Sequence, residues 1–143
     1  MPRAKRVTSD GVPYRDLNRN GRMDPFEDPR RSPGDRAADL LPRLTLEEKA
    51  GLLFHMVISV GEAGTFDTPE PFGPDTARQL VLGRNINHFN VTVLPSAVET
   101  ARWQNAMQGL AEESPHGIPI TFSTDPRHGF TENPGMGFAA GAL

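Results

Sequence analysis

The stretch from His116 to Phe130, His-Gly-Ile-Pro-Ile-Thr-Phe-Ser-Thr-Asp-Pro-Arg-His-Gly-Phe, carries the residue types of this chain best placed for chemistry. Ile118 to Ser123 reads as a short buried strand that delivers a carboxylate, Asp125, to its C-terminal end. In parallel α/β sheets ligands bind at that end, where the loops leaving the strands form a crevice. Pro126 stiffens the exit, and Arg127, His128 and Gly129 follow. A carboxylate, a guanidinium and an imidazole thus leave one strand end together. A turn closed by polar residues would use the same residue types, and spacing alone leaves both readings standing.

A second constellation lies near the N-terminus, in Asp16-Leu-Asn-Arg-Asn-Gly-Arg-Met-Asp-Pro-Phe-Glu27. It matches the twelve-residue EF-hand loop, with oxygen-bearing side chains Asp16, Asn18, Asn20, Asp24 and Glu27 at positions 1, 3, 5, 9 and 12. Gly21 falls at the sharp turn, Arg22 offers its backbone carbonyl, and Met23 is the apolar tether. A hard divalent cation needs six or more oxygens around one point. The expected ligand is a structural Ca2+ that braces an arm. The alternative is an Asn/Asp/Gly turn held by its own side chains without metal. Pro13, Pro25 and Pro29 argue against the flanking helices of a full hand.

These groups need elements to position them. Ser32 with Asp35, Thr45 with Glu48, and Ser96 with Glu99 each read as a helix N-cap and its partner three residues on. The first helix should carry Ala37, Leu40, Leu41 and Leu44 inward and stop near Leu41, because Pro42 has no N–H to donate. The second should turn Leu46, Ala50, Leu53 and Phe54 inward. The third has Trp103, Ala106, Met107, Leu110 and Ala111 at helical spacing. A short helix over Asp75 to Leu82, closed by Gly83, is also expected. Strands are expected at Met56 to Val60, Ile86 to Val93 and Ile118 to Ser123. Helices alternating with strands imply a parallel sheet. The first thirty or so residues show little apolar periodicity and read as an extended arm. Asp67, Glu70 and Asp75, on or beside the loop from Gly61 to Pro74, read as solvated. His55 and His116 read as structural or exposed, and His88 as a satisfied core histidine.

Composition narrows the function classes. The 143 residues carry a net charge of −3, which gives no electrostatic case for nucleic acid or an anionic membrane. No run is apolar for the length of a membrane span, and Met1 is not followed by a signal-like apolar segment, which favours the cytoplasm slightly. The absence of cysteine excludes disulfides and thiolate metal sites. Fourteen glycines and fourteen prolines fall between periodic segments, as in a loop-rich enzyme.

With these residues in hand, the chain resembles the N-terminal part of glycoside hydrolase family 3, the β-glucosidase and β-xylosidase group. Asp16 to Asp28 looks like an acidic arm of some members. Leu44-Thr-Leu-Glu-Glu-Lys-Ala-Gly51 is similar to the family's entry helix "MTLEEKIGQ", and Trp103-Gln-Asn105 falls in the helix before the third strand. Gly117-Ile-Pro-Ile-Thr-Phe-Ser-Thr-Asp-Pro-Arg-His-Gly129 looks like the signature "GIPLLFGxDxxHG". The resemblance implies a TIM-type (β/α) barrel, here an incomplete N-terminal portion over residues 32–143, preceded by an arm over residues 1–31. It implies removal of a terminal non-reducing β-D-glucosyl or related residue with retention of configuration, and no cofactor for catalysis. Asp125 matches the aspartate that grips sugar hydroxyls in the −1 subsite, as two acceptor oxygens can do. Arg127 stands where many members have an uncharged residue. No segment matches the nucleophile or the acid/base, so the expectation is a chain missing its C-terminal part and inactive alone. The reading from another class is a calcium-stabilised carbohydrate-binding or interaction module without catalysis.

Overall fold

Asp10 and Gly11 both take left-handed backbone, with φ of 50° and 78°. That is the geometry of a two-residue hairpin turn whose twist matches the flanking strands. In the computed structural model, which describes residues 4–63, 65–68, 70, 73–91 and 94–124, this turn joins strands β1 (Lys5–Ser9) and β2 (Val12–Asp16). They pair antiparallel, with Val7 opposite Tyr14 and Lys5 opposite Asp16. The N-terminal region is therefore a hairpin and not only an extended arm. Its Asp-Gly pair between valine-bearing segments was the signal for it.

The helix caps form as their residues dictate. The Ser32 hydroxyl accepts from the Asp35 amide at the start of α1 (Pro33–Leu40). A 3-10 turn, Leu41–Arg43, follows. Thr45 and Glu48 form a reciprocal capping box on α2 (Leu46–Gly51), and Ser96 caps α3 (Ala97–Ala111). Thr76 and Gln79 lead instead into a wide π-type turn, Gln79–Gly83, so the short helix expected over Asp75 to Leu82 is replaced by looser coiling.

Three strands form a parallel sheet in the order β3-β4-β5: β3 (His55–Ile58), β4 (His88–Val91) and β5 (Thr121–Ser123). β3 ends two residues before Val60, and β5 begins three residues after Ile118, so backbone pairing covers only part of those two apolar runs. The register sets His55 beside His88 beside Thr121, and Met56 beside Phe89 beside Phe122. Since side chains alternate along a strand, Met56, Ile58, Phe89, Val91 and Phe122 share one face. Leu80, Val81, Trp103, Met107 and Leu110 pack on that face to make the core. The Trp103 and Phe122 rings sit 5.3 Å apart.

Two expectations about burial fail. The stripe assigned inward on α2 is outward: Leu46 is 77% and Leu53 87% exposed, and Phe54 is exposed too. No residue of α1 is buried, and Leu41 is exposed; only Leu44 of that stripe enters the interior. Periodicity identified an apolar side, but among the described residues no element covers it. What α2 does bury is Gly51. A Cβ there would lie 2.5 Å from the carbonyl oxygens of Arg84 and Asn85, so the helix end presses directly on that turn.

Candidate functional site

The sheet face away from the helices carries His55, Val57, His88, Asn90, Thr121 and Ser123. His88 therefore lies on this polar face rather than in the core, and it is half-buried. Ser123 Oγ and His55 Nε2 are 2.9 Å apart, reaching over β4 between them. Asp125, with Pro126, Arg127, His128 and Gly129, lies outside the described residues.

The approach to β5 is held by side chains acting as backbone partners. Gln108 of α3 donates Nε2–H to the Ile120 carbonyl at 2.7 Å and accepts the Ile120 amide at 3.0 Å. Asn87 donates Nδ2–H to the Ile118 carbonyl at 2.9 Å, and its own carbonyl accepts the Thr121 amide. Both amides sit where a strand would otherwise leave buried backbone groups unpaired.

The loop from Asp16 to Glu27 closes on itself. Asp16 accepts the Asn20 and Gly21 amides at 3.0 Å each. Glu27 accepts the Leu17 amide at 2.6 Å and those of Asn18 and Asp24. The side-chain amides of Asn18 and Asn20 both donate to Asp24 Oδ2. Arg22 is exposed, and its amide donates to Asn20 Oδ1. Strand β2 enters this loop and a single turn leaves it, so no helix–loop–helix hand forms among the described residues. Among the described residues no three His, Asp or Glu side chains converge as a ligand cluster, so carboxylates alone do not form a metal site in the loop.

Electrostatics follow from that packing. Burial pushes the Glu27 carboxyl up, outweighing its amide donors. Burial also pushes Asp24 up, but hydrogen bonds from Asn18 and Asn20, with Arg43 and Arg22 nearby, bring it below the usual range. The Tyr14 phenol is raised by burial and then by the negative charges of Asp16, Glu27 and Asp24. Asp28, chelated by Arg30 through two bonds of 2.8 Å, is held down to about 2.

Of the acidic residues read as solvated, Asp67 is exposed, while Glu70 and Asp75 are half-buried. Asp67 pairs with Arg78 at 3.0 Å, Asp75 with Arg84 at 2.7 Å, and Glu70 accepts the Ser59 amide. Of the remaining histidines, His55 is exposed and His116 is half-buried against Glu48 at 3.0 Å. Sequence reasoning missed Arg19 altogether. Its guanidinium donates to the carbonyls of Glu112 and Ser114. It occupies a position that supplies no ligand in the loop pattern, and nothing in the sequence singled it out.

No protein-family model matches the chain. Its sequence relatives are nevertheless of one kind, and they bear out the resemblance to the β-glucosidase and β-xylosidase group of glycoside hydrolase family 3. Over 94% of its length the chain is 38% identical to the periplasmic beta-glucosidase/beta-xylosidase of Dickeya chrysanthemi, of which it spans 21%. Over 76% of its length it is 42% identical to beta-glucosidase C of Emericella nidulans and 43% identical to the probable beta-glucosidase C of Aspergillus flavus, spanning 17% of each. The chain thus covers about a fifth of these curated relatives' length. One relative is named as periplasmic, where composition had favoured the cytoplasm. Among the described residues no helix is long and apolar enough to cross a membrane.

Proposed function

We propose that this chain is the N-terminal part of a retaining, exo-acting β-glycosidase that removes terminal non-reducing β-D-glucosyl or related residues. The observation that carries this reading is identity of 38–43% to named β-glucosidases along most of the chain. In this reading residues 32–143 begin a (β/α) barrel and residues 1–31 form an arm beside it.

The sheet supports a barrel-type wall. Strands two apart lie about 9.6 Å from one another, too far for short side chains to meet across a flat sheet. Yet His55 and Ser123 are hydrogen-bonded over β4. Helix α3 and the turn before β4 pack on the opposite face. Parallel strands with a helix packed on one face are the repeating unit of a barrel wall.

The chemistry assigned to Asp125 is grip. An ionised carboxylate accepts two neighbouring sugar hydroxyls at once, which orients a chain end in the −1 subsite. Retaining hydrolysis needs a further pair of carboxyl groups about 5–5.5 Å apart, one a nucleophile and one an acid/base. Both are assigned to polypeptide outside these 143 residues, so the chain alone should leave an aryl β-glucoside uncut. The test is glucose binding by chemical-shift perturbation of the natural protein, with Asp125→Ala. Loss of binding and of turnover in the variant is the expected result, and unchanged kinetics would remove Asp125 from the subsite. Glucose binding without turnover by the natural protein would favour a non-catalytic carbohydrate-binding module.

The loop from Asp16 to Glu27 is assigned a structural Ca2+, held by Asp16, Asn18, Asn20, Asp24, Glu27 and the Arg22 carbonyl. Two observations favour it: the donors are hard oxygens, and the amides of Asn18 and Asn20 meet at one oxygen of Asp24. Turning each amide would exchange the bond its oxygen accepts from the Asn20 or Arg22 N–H for an oxygen aimed at that point, where a cation would relieve the repulsion. When bound, the ion would supply cross-linking of the loop and no step of catalysis. A melting-temperature rise with Ca2+ that Glu27→Gln abolishes would support it; no response in either protein would retire the site.

A further inference from the structure

The loop from Asp16 to Glu27 grips the segment between α3 and β5. Arg19, itself in left-handed backbone with φ of 60°, sends its guanidinium to the carbonyls of Glu112 and Ser114. Those carbonyls lie just past the end of α3, where a helix leaves acceptors unpaired and favours a cation. Arg15, on β2, forms an ion pair with the Glu112 carboxylate. Leu17 then packs against Gly117. A Cβ at Gly117 would stand 2.8 Å from Leu17 Cδ2, and its φ of 56° suits glycine. From Gly117 the chain runs directly into the residues that Asn87 and Gln108 clamp, Ile118 to Thr121.

We propose that this loop is a brace fixing where β5 begins, with Arg19 as its positioning residue. An ordinary helix cap would act only on the last turn of α3. The contacts here continue past it: Arg19 on Glu112 and Ser114, Leu17 on Gly117, then the clamped backbone of Ile120 and the strand itself. The consequence for sugar binding rests on the reading of Asp125 given above, while the mechanical claim does not. Coupling of this kind is reciprocal, so whatever orders the loop orders β5, and a disturbed β5 loosens the loop.

The test is hydrogen exchange on the protein and its variants, read segment by segment. Arg19→Ala should speed exchange in residues 118–123 by about tenfold, the loss expected for a charged donor to half-buried carbonyls. Strands β1 and β3 should keep their rates. Arg19→Lys, which retains the charge but not the fork, should recover part of the protection. Leu17→Ala should give the same segmental pattern without touching any charge. Change confined to the last turn of α3, or spread uniformly over the chain in both Arg19→Ala and Leu17→Ala, would overturn the brace. Adding Ca2+ separates this claim from the metal assignment. A segmental effect of Arg19→Ala that persists while Ca2+ does nothing supports the brace and counts only against the metal. Asp125→Ala should leave the exchange pattern as it is, so a failed sugar assignment would not be mistaken for a failed brace.

Discussion

Gln108 and Ile120 form a closed pair: one side-chain amide on α3 both donates to and accepts from the backbone of the residue that precedes β5, at 2.7 and 3.0 Å. Ile120 is itself buried, so water cannot replace either bond. Gln108→Leu should therefore cost at least about 2 kcal/mol, the penalty for stranding two buried backbone groups. Denaturant unfolding would measure it. A variant as stable as the parent would mean the segment finds other partners.

Gly51 is required by contact rather than by conformation. Its missing side chain admits the carbonyls of Arg84 and Asn85. Gly51→Ala should lower stability by about 1–3 kcal/mol through forced displacement of that turn. Gly83→Ala, where no atom lies within 4 Å, is the control and should show no steric cost. Equal melting temperatures for the two variants would contradict the close approach.

Tyr14 is the sole tyrosine of the chain, so phenolate absorbance reports on it alone. Its midpoint should lie above the usual phenol value, because burial and the carboxylates of Asp16, Glu27 and Asp24 all oppose ionisation. A cation held in the loop would offset those charges and bring the midpoint down. Titration with and without Ca2+ reads both effects. An identical curve in the two conditions would count against metal in the loop.

Asp28 supplies a pH dependence whose sign is fixed. Its carboxyl is depressed to about 2 by hydrogen bonds from Arg30, against an ordinary value of 3.8. A depressed carboxylate stabilises the folded state fully above its unfolded pKa and loses that contribution as pH falls through the folded one. The window is therefore about pH 4 down to about 2. Arg30→Ala should return the Asp28 midpoint toward the ordinary range in an NMR titration. An unmoved midpoint would show that the Arg30 chelate is not the cause.

Local signals were the legible ones. Ser32, Thr45 and Ser96 each named a helix start that the structure reproduces, because a cap is decided by residues three apart. That the sheet is parallel also followed from alternation of helices and strands. The hairpin leaves no apolar period in its short charged strands, and only the Asp10-Gly11 pair marks its turn. Exposure of Leu46 and Leu53 could not be read at all: periodicity tells which side is apolar, not whether a neighbour is there to cover it. The site was legible in part. The loop from Asp16 to Glu27 showed its spacing, but the grip of Arg19 on Glu112 joins residues more than ninety positions apart and leaves no local trace.

Among the described residues β3 and β5 each have a strand on one side only. Among the described residues no strand pairs with their outer margins, and beside β3 stand the exposed Leu53 and Phe54. A bare margin of that kind is a template for any passing extended segment, its own copies included. Handled at high concentration, the chain would thus be drawn to stack edge on edge while still folded, and solubility rather than melting would set the practical ceiling on its use.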